Sequence, residues 1–399
     1  MGEDHLDQAL RAIDATLRDL GSADLTALFT PGFLAQLPAA ELRARLEHMV
    51  RELGAPVAYR VCERRSERSA RVHFSFARGY SAYGTVALDE EPHPRVQWLL
   101  FELPTRDADS WADIEAAVAA LPGRTSFEVR DLTSGARLAA VEPERPLGVG
   151  SVSKLCILSA VLDAVGSGAR RWTDLVTLAD ADRSLPTGIL HDWPPGSPLT
   201  LHTATVLAIS ISDNTAADLL LRELGRDTIE AVGGGLPRPF FSTRGLFALL
   251  VAPEPERAAY LAASEAERRT LLAGYEARPR PDVAQLAGLW PEGLDWYLSA
   301  ADVCVVLDRV RSQIATSDVA RGVFGVNTGG IRLDEWRFAG FKGGSSPGRV
   351  ALAALLEDDT HRWVALCLTQ NAAPETLRIE ATARLVKRAA DQARASGAR

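Results

Sequence analysis

The chain has 399 residues, 47% of them hydrophobic and 24% charged, with a net charge of −8. That length allows two or three domains with cores of their own, and the acidic balance argues against nucleic acid or an anionic membrane as a general partner. No apolar run is long enough to span a bilayer.

In chain order, Leu6, Leu10, Ile13, Leu17 and Leu20 fall at helical spacing over 5–20. Leu42, Leu46, Met49, Val50 and Leu53 do the same over 39–53, with Gly54 as a stop. Strands are expected at 58–62, 71–76, 83–88 and 96–101, the second with clean alternation. Helices followed by a run of strands suggest a small α+β unit with helices on one face of a sheet. Its element order is compatible with a cystatin-like or ketosteroid-isomerase-like shape. The polar stretch Thr105-Arg106-Asp107-Ala108-Asp109-Ser110 breaks the pattern, so an N-terminal domain over 1–106 and a second over 107–399 are expected.

In the second domain, 111–121 reads as helix, and 126–130 with 137–141 as a hairpin. The buried-helix pattern after Ser151 follows. Loops come next, then helices over 200–211 and 215–224 and a glycine break at Gly233-Gly234-Gly235. Residues 245–310 read as largely helical. A strand pair over 350–356 and 363–369 and a helix over 375–395 close the chain.

The start, Met1-Gly2-Glu3-Asp4-His5, has no basic segment followed by an apolar one. No signal peptide is therefore expected, and a cytoplasmic setting is. Cys62, Cys156, Cys304 and Cys367 are far apart in apolar contexts and read as buried free thiols. No cysteine or histidine grouping has metal-ligand spacing, so neither metal nor cofactor is expected.

The stretch Pro146-Leu147-Gly148-Val149-Gly150-Ser151-Val152-Ser153-Lys154 carries chemistry. Residues three apart share a helical face, so Lys154 is expected to reach the Ser151 hydroxyl. A serine is a weak nucleophile until a neighbour takes its proton, and a desolvated lysine amine can take it. The chain has three lysines, Lys154, Lys342 and Lys387, and otherwise uses arginine. Arginine cannot be deprotonated in proteins, so a lysine kept at 154 points to use of its proton.

Three motifs stand in order: Ser151-x-x-Lys154, Ser212-Asp213-Asn214 and Lys342-Gly343-Gly344. Together they resemble the serine β-lactamase and penicillin-binding protein superfamily, with class A β-lactamases the nearest branch. The resemblance extends through Thr215-Ala216-Ala217-Asp218-Leu219-Leu220. It implies an α+β fold, a helical subdomain beside an antiparallel sheet covered by helices. It also implies an acyl-enzyme on Ser151, with Lys154 as base and Ser212 passing a proton to the leaving group under the charge of Lys342. Asn214 would bond Lys154 and substrate, and Thr187 would wall the cleft. The oxyanion hole would be the N–H groups of Ser151 and Ser345, the latter beside Gly344.

Two departures modify the expectation. Gly343 lacks the hydroxyl that helps hold a substrate carboxylate in the resembled enzymes, and Ser345, Ser346 or Arg349 are the candidate substitutes. The Glu-x-x-Leu-Asn segment that activates the deacylating water is also absent. In its place stand Phe240-Phe241-Ser242-Thr243-Arg244-Gly245-Leu246 and a longer insertion holding Glu254, Glu256, Glu265, Glu267 and Glu276. The pairing of an isomerase-like N-terminal unit with such a domain resembles the β-lactamase-like proteins of clavulanic acid biosynthesis and their actinobacterial relatives. The expectation is a weak esterase that recognises β-lactams but turns them over poorly, acting on a small ester or β-lactam. The alternatives are a metabolite-binding module with a residual site and a D-alanyl-D-alanine peptidase.

Overall fold

The computed structural model describes residues 4–233, 235, 238–286 and 292–397. The chain divides into two compact units, Met1–Asp109 and Ser110–Arg399.

In the first unit, Asp4 caps the helix His5–Arg18 by accepting from Leu6 N at 2.9 Å. The second long helix, Ala39–Leu53, stops at Gly54, whose φ of +89° suits glycine. Two short helices, Leu25–Leu28 and Pro31–Gln36, lie between them. Strands Pro56–Ser66, Ser69–Phe76, Tyr80–Leu88 and Val96–Phe101 follow in antiparallel order, each beside the next. Strand Ser69–Phe76 alternates buried and half-buried positions. It sends Val72 and Phe74 into a core shared with Leu6, Leu10, Ile13, Leu42 and Leu46. Thr105–Arg106, at the start of the polar stretch, pairs with Tyr80 and Ser81 as a fifth short strand.

The edge strand corrects one cysteine expectation. Pro56–Ser66 runs beyond the apolar stretch 58–62 and is exposed along most of its length. Cys62 is accordingly exposed, whereas Cys156, Cys304 and Cys367 are buried. Burial pushes the Cys156 and Cys367 thiols up to about 12.

The second unit is built on a five-stranded antiparallel sheet in the order 338–346, 349–357, 363–371, 124–131, 137–141. The two strands Arg349–Glu357 and Trp363–Asn371 are buried at almost every position, as central strands covered on both faces must be. Helix Ala300–Ile314 packs against strands 124–131 and 363–371, and Ile379–Gly397 packs against 349–357 and 363–371. The helical part surrounds Lys154–Gly166, whose residues 154–162 are all buried. Around it pack Leu201–Ser210, Asn214–Leu224 and Ala300–Ile314.

The span 245–310 is less continuous than its composition suggests. Helices Thr243–Leu250, Glu254–Ala262 and Glu265–Glu276 are followed by a short 3-10 turn, Val283–Leu286, and Ala300–Ile314 begins after the two-residue strand Tyr297–Leu298. Residues 287–291 of that span, Gly234 of the glycine break and residues 1–3 lie outside the described residues. No described helix is long and apolar enough to cross a membrane.

Candidate active site

Ser151 sits in a 3-10 turn, Gly150–Ser153, and Lys154 opens the α-helix behind it. The turn is held from below. Gly150 N donates to Asp295 Oδ1 at 2.9 Å, and Asp295 is fully buried with Arg349 as its ion-pair partner at 3.4 Å. Gly150 has φ of +51°, a conformation that favours glycine. Gly344 on strand Phe338–Ser346 must also lack a side chain, because a Cβ there would stand 2.8 Å from Ser151 N. The close approach brings the backbone of Gly344 and Ser345 beside the Ser151 turn, the arrangement an oxyanion hole requires.

The Lys154 amine is 2% exposed. It donates to Ser212 O at 2.6 Å, Asn214 Oδ1 at 2.7 Å and Ser212 Oγ at 3.2 Å. Among the described residues it makes no hydrogen bond to Ser151 Oγ, so the expected contact between them is not formed in this state. The second lysine approaches the same hydroxyl from the sheet: Lys342 Nζ donates to Ser212 Oγ at 2.9 Å and to Gly343 O at 2.7 Å. Burial draws Lys154 down to about 7, against the upward pull of Asp218 and Asp213. Burial and the neighbouring Lys154 hold Lys342 well below the ordinary lysine value. Two amines on one hydroxyl cannot both carry full charge without cost, and Lys154, Ser212 and Lys342 form one hydrogen-bonded chain.

Ser212 has φ of +58°, a strained conformation for a residue with a side chain. Its neighbours hold it there. Thr187 Oγ1 donates to Ser212 O at 2.6 Å, and Asn214 N donates to Thr187 O at 3.1 Å. The Asp213 carboxylate, fully buried, accepts from Ile189 N at 2.7 Å, Leu190 N at 2.9 Å and Ala216 N at 2.8 Å. Asp213 thereby caps helix Asn214–Leu224 and clasps the loop that carries Thr187. A side chain on Gly188 would collide with Asp213.

Ser151, Thr187, Ser212, Lys342, Gly343, Gly344 and Ser345 line one cleft of about 390 Å³. Asn214 lies beneath it, 6% exposed, with its amide donating to Leu185 O at 3.1 Å. Two of the candidate carboxylate holders fall outside: neither Ser346 nor Arg349 lines the cleft, and Arg349 is turned to Asp295. Among the described residues no aspartate or glutamate lines it either. Four of the insertion's five carboxylates are engaged elsewhere, Glu276 with Arg226 and Ser242, Glu256 with Arg278, Glu265 with Arg269 and Glu267 with Ser264, and Glu254 does not line the cleft. The segment at 240–246 presents a threonine instead. Thr243 Oγ1 donates to Ser184 Oγ at 2.8 Å and Asn214 O at 3.2 Å. Asp218 fixes it by accepting from Thr243 N at 2.7 Å and Arg244 N at 2.8 Å. Burial pushes Asp218 up to about 7, although those N–H groups oppose the shift.

Sequence reasoning assigned no role to Asp213, Asp218 or Asp295. The position of Asp213 three residues before Ala216 is a cap signal that could have found it. Asp295 has no local signal, because its partner Gly150 is 145 residues away.

The fold is class A β-lactamase-like, and the order of the three motifs resembles that of the serine β-lactamase and penicillin-binding protein superfamily. The model of the "Beta-lactamase enzyme family" matches residues 109–236. No curated protein sequence matches the chain. Among solved structures, a β-lactamase from Sphaerobacter thermophilus covers 73% of this chain and 99% of its own at 20% identity, with a TM-score of 0.51. A β-lactamase from Chitinophaga pinensis covers 72% and 98% at 13% identity, also at 0.51. The L158E mutant of PBP-A, solved as an acyl-enzyme complex with penicillin G, covers 72% and 96% at 17% identity, at 0.50. At these identities the likeness is one of fold: the class A β-lactamase-like fold.

Proposed function

We propose that the chain is a serine acyl-hydrolase working through an acyl-enzyme on Ser151, with ester hydrolysis efficient relative to β-lactam turnover. The observation that carries this reading is the buried Lys154 amine, drawn down to about 7 and tied through Ser212 to Lys342, with Ser212 and Lys342 lining one cleft with Ser151. A neutral amine at this pH is a competent base. Substrate entry brings Ser151 Oγ to the carbonyl; its proton goes to Lys154 and the new C–O bond forms. The tetrahedral oxyanion is stabilised by the N–H groups of Ser151 and Ser345, worth roughly 3 kcal/mol for each donor. As the C–O bond to the alcohol breaks, the proton passes through Ser212 Oγ to the departing oxygen. Water then attacks the acyl group with Lys154 again as base, releasing the acid and restoring the Ser151 hydroxyl.

Deacylation is the weak step for β-lactams. Their ring-opened product stays tethered in the cleft, and among the described residues no carboxylate lines the cleft to place a water. That a protein of this fold was solved as a penicillin G acyl-enzyme supports β-lactam acylation here. The test is nitrocefin beside a short activated ester. Expected at saturating nitrocefin is about one equivalent opened, then slow turnover, with steady ester hydrolysis at lower substrate concentrations. Rapid steady nitrocefin hydrolysis lost in Ser151→Ala would contradict the deacylation account. We extend the reading to antibiotic biosynthesis on the order of the two units alone: helices and a five-stranded sheet preceding the hydrolase unit. An unchanged antibiotic profile after disruption of the gene would remove that extension.

A further inference from the structure

The walls of the cleft say what kind of acyl group it accepts. Six apolar side chains, Ile209, Ile211, Phe341, Val350, Leu352 and Ile379, line it. Ile211 and Ile379 remain 42% and 47% exposed, so apolar surface stands open at the rim. Apart from the reacting Ser151 and the exposed Ser345, the polar groups among them are already engaged. Asn327 donates to Ser210 O at 2.6 Å and accepts from Gly329 N at 2.8 Å. Ser210 Oγ donates to Val206 O at 2.7 Å, and Thr187 Oγ1 is held by Ser212 O. Lys342 is the lone basic side chain among the described lining residues, and it already donates to Ser212 and Gly343. The arginine nearest in sequence, Arg349, is 7% exposed and locked to buried Asp295 beneath Gly148. Position 343 has no hydroxyl, and the space a side chain would enter there is bordered by Phe341 and Leu352.

A carboxylate in such surroundings gives up hydration for at most the Ser345 hydroxyl and no uncommitted arginine, an unfavourable exchange for a charged group. A neutral acyl chain loses little and covers the open isoleucines. We propose that this cleft takes a neutral, apolar acyl ester and discriminates against substrates with a carboxylate beside the scissile bond. The proposal rests on the serine acyl-hydrolase reading of the same site and names its substrate class.

The test uses binding, so that it stands apart from turnover. Two arylboronic acids of equal size serve as reversible serine ligands, one with a meta-carboxylate and one with the neutral meta-carboxamide. Calorimetry on the full chain is expected to show the carboxamide binding at least tenfold tighter. Gly343→Ser places a hydroxyl where a Cβ meets its neighbours at ordinary contact distances, 3.4 to 3.6 Å. It is expected to narrow that ratio by about threefold or more. Carboxylate binding equal to or tighter than carboxamide in the wild-type chain would overturn the proposal while leaving the hydrolase reading intact. Failure of both ligands to bind in a Ser151-dependent way would overturn the hydrolase reading, and this proposal with it.

Discussion

At the scale of single residues, the site depends on one amine being neutral when it is needed. Lys154 is protonated below about 7 and neutral above it. The rate of Ser151 acylation should therefore rise with pH through about 7 and level off above, the sign expected of a base whose conjugate acid is destabilised by burial. A flat profile between pH 6 and 9 in pre-steady-state ester kinetics would remove Lys154 as the base. Lys154→Arg retains a cation but has no accessible neutral form, so it should lower kcat/KM for esters by about 10²–10⁴-fold. Thermal melting should show the variant folded. Sequence spacing put Ser151 and Lys154 on neighbouring turns, but not the bonds that hold the amine. Those come from Ser212 and Asn214, roughly sixty positions along the chain by the separations of 58 and 60.

At the scale of elements, the long amphipathic pieces were legible because each buries one face with its own periodicity. Helix Ala39–Leu53 and strand Val96–Phe101 begin and end where the pattern does. Short pieces were not: Leu25–Leu28, Pro31–Gln36 and Asp318–Gly325 are too brief for a periodicity to show. Cys62 misled for a related reason, since an apolar-looking strand can still be an exposed edge. Long-range polar ties are equally silent in sequence. One of them, Arg362, links the strand end at Asp131 by a 2.7 Å ion pair to the last helix at Ala393 O, also 2.7 Å. Burial pushes the Asp131 carboxyl up, but Arg362 and the N–H groups of Ser134 and Thr133 outweigh it and hold the group below its ordinary value. Arg362→Ala should therefore cost about 2–3 kcal/mol in denaturant unfolding. The ordinary carboxylate value is about 4. The loss should be full above it and shrink as pH falls through the lower folded-state value, because protonated Asp131 no longer needs the arginine. A loss below about 0.5 kcal/mol at neutral pH would show the tie to be slack.

At the scale of the molecule, the two units keep separate cores: buried residues between Leu6 and Val96 form one, and residues from Val149 to Cys367 form another. Every lining residue of the cleft belongs to the second unit. A chain of residues 110–399 should therefore fold and react with a serine-directed fluorophosphonate at a rate within about threefold of the full chain. An unfolded or unreactive fragment would show that the first unit is needed for the site. The central claim is that Ser151 is the nucleophile and Lys154 its base. It is tested most directly by intact-protein mass spectrometry of the full chain after treatment with that fluorophosphonate, followed by peptide mapping. The account predicts one adduct, on Ser151, forming faster as pH rises through about 7, absent in Ser151→Ala and strongly slowed in Lys154→Arg. An adduct on another residue, or one that forms on Ser151 at the same rate in Lys154→Arg, would contradict it.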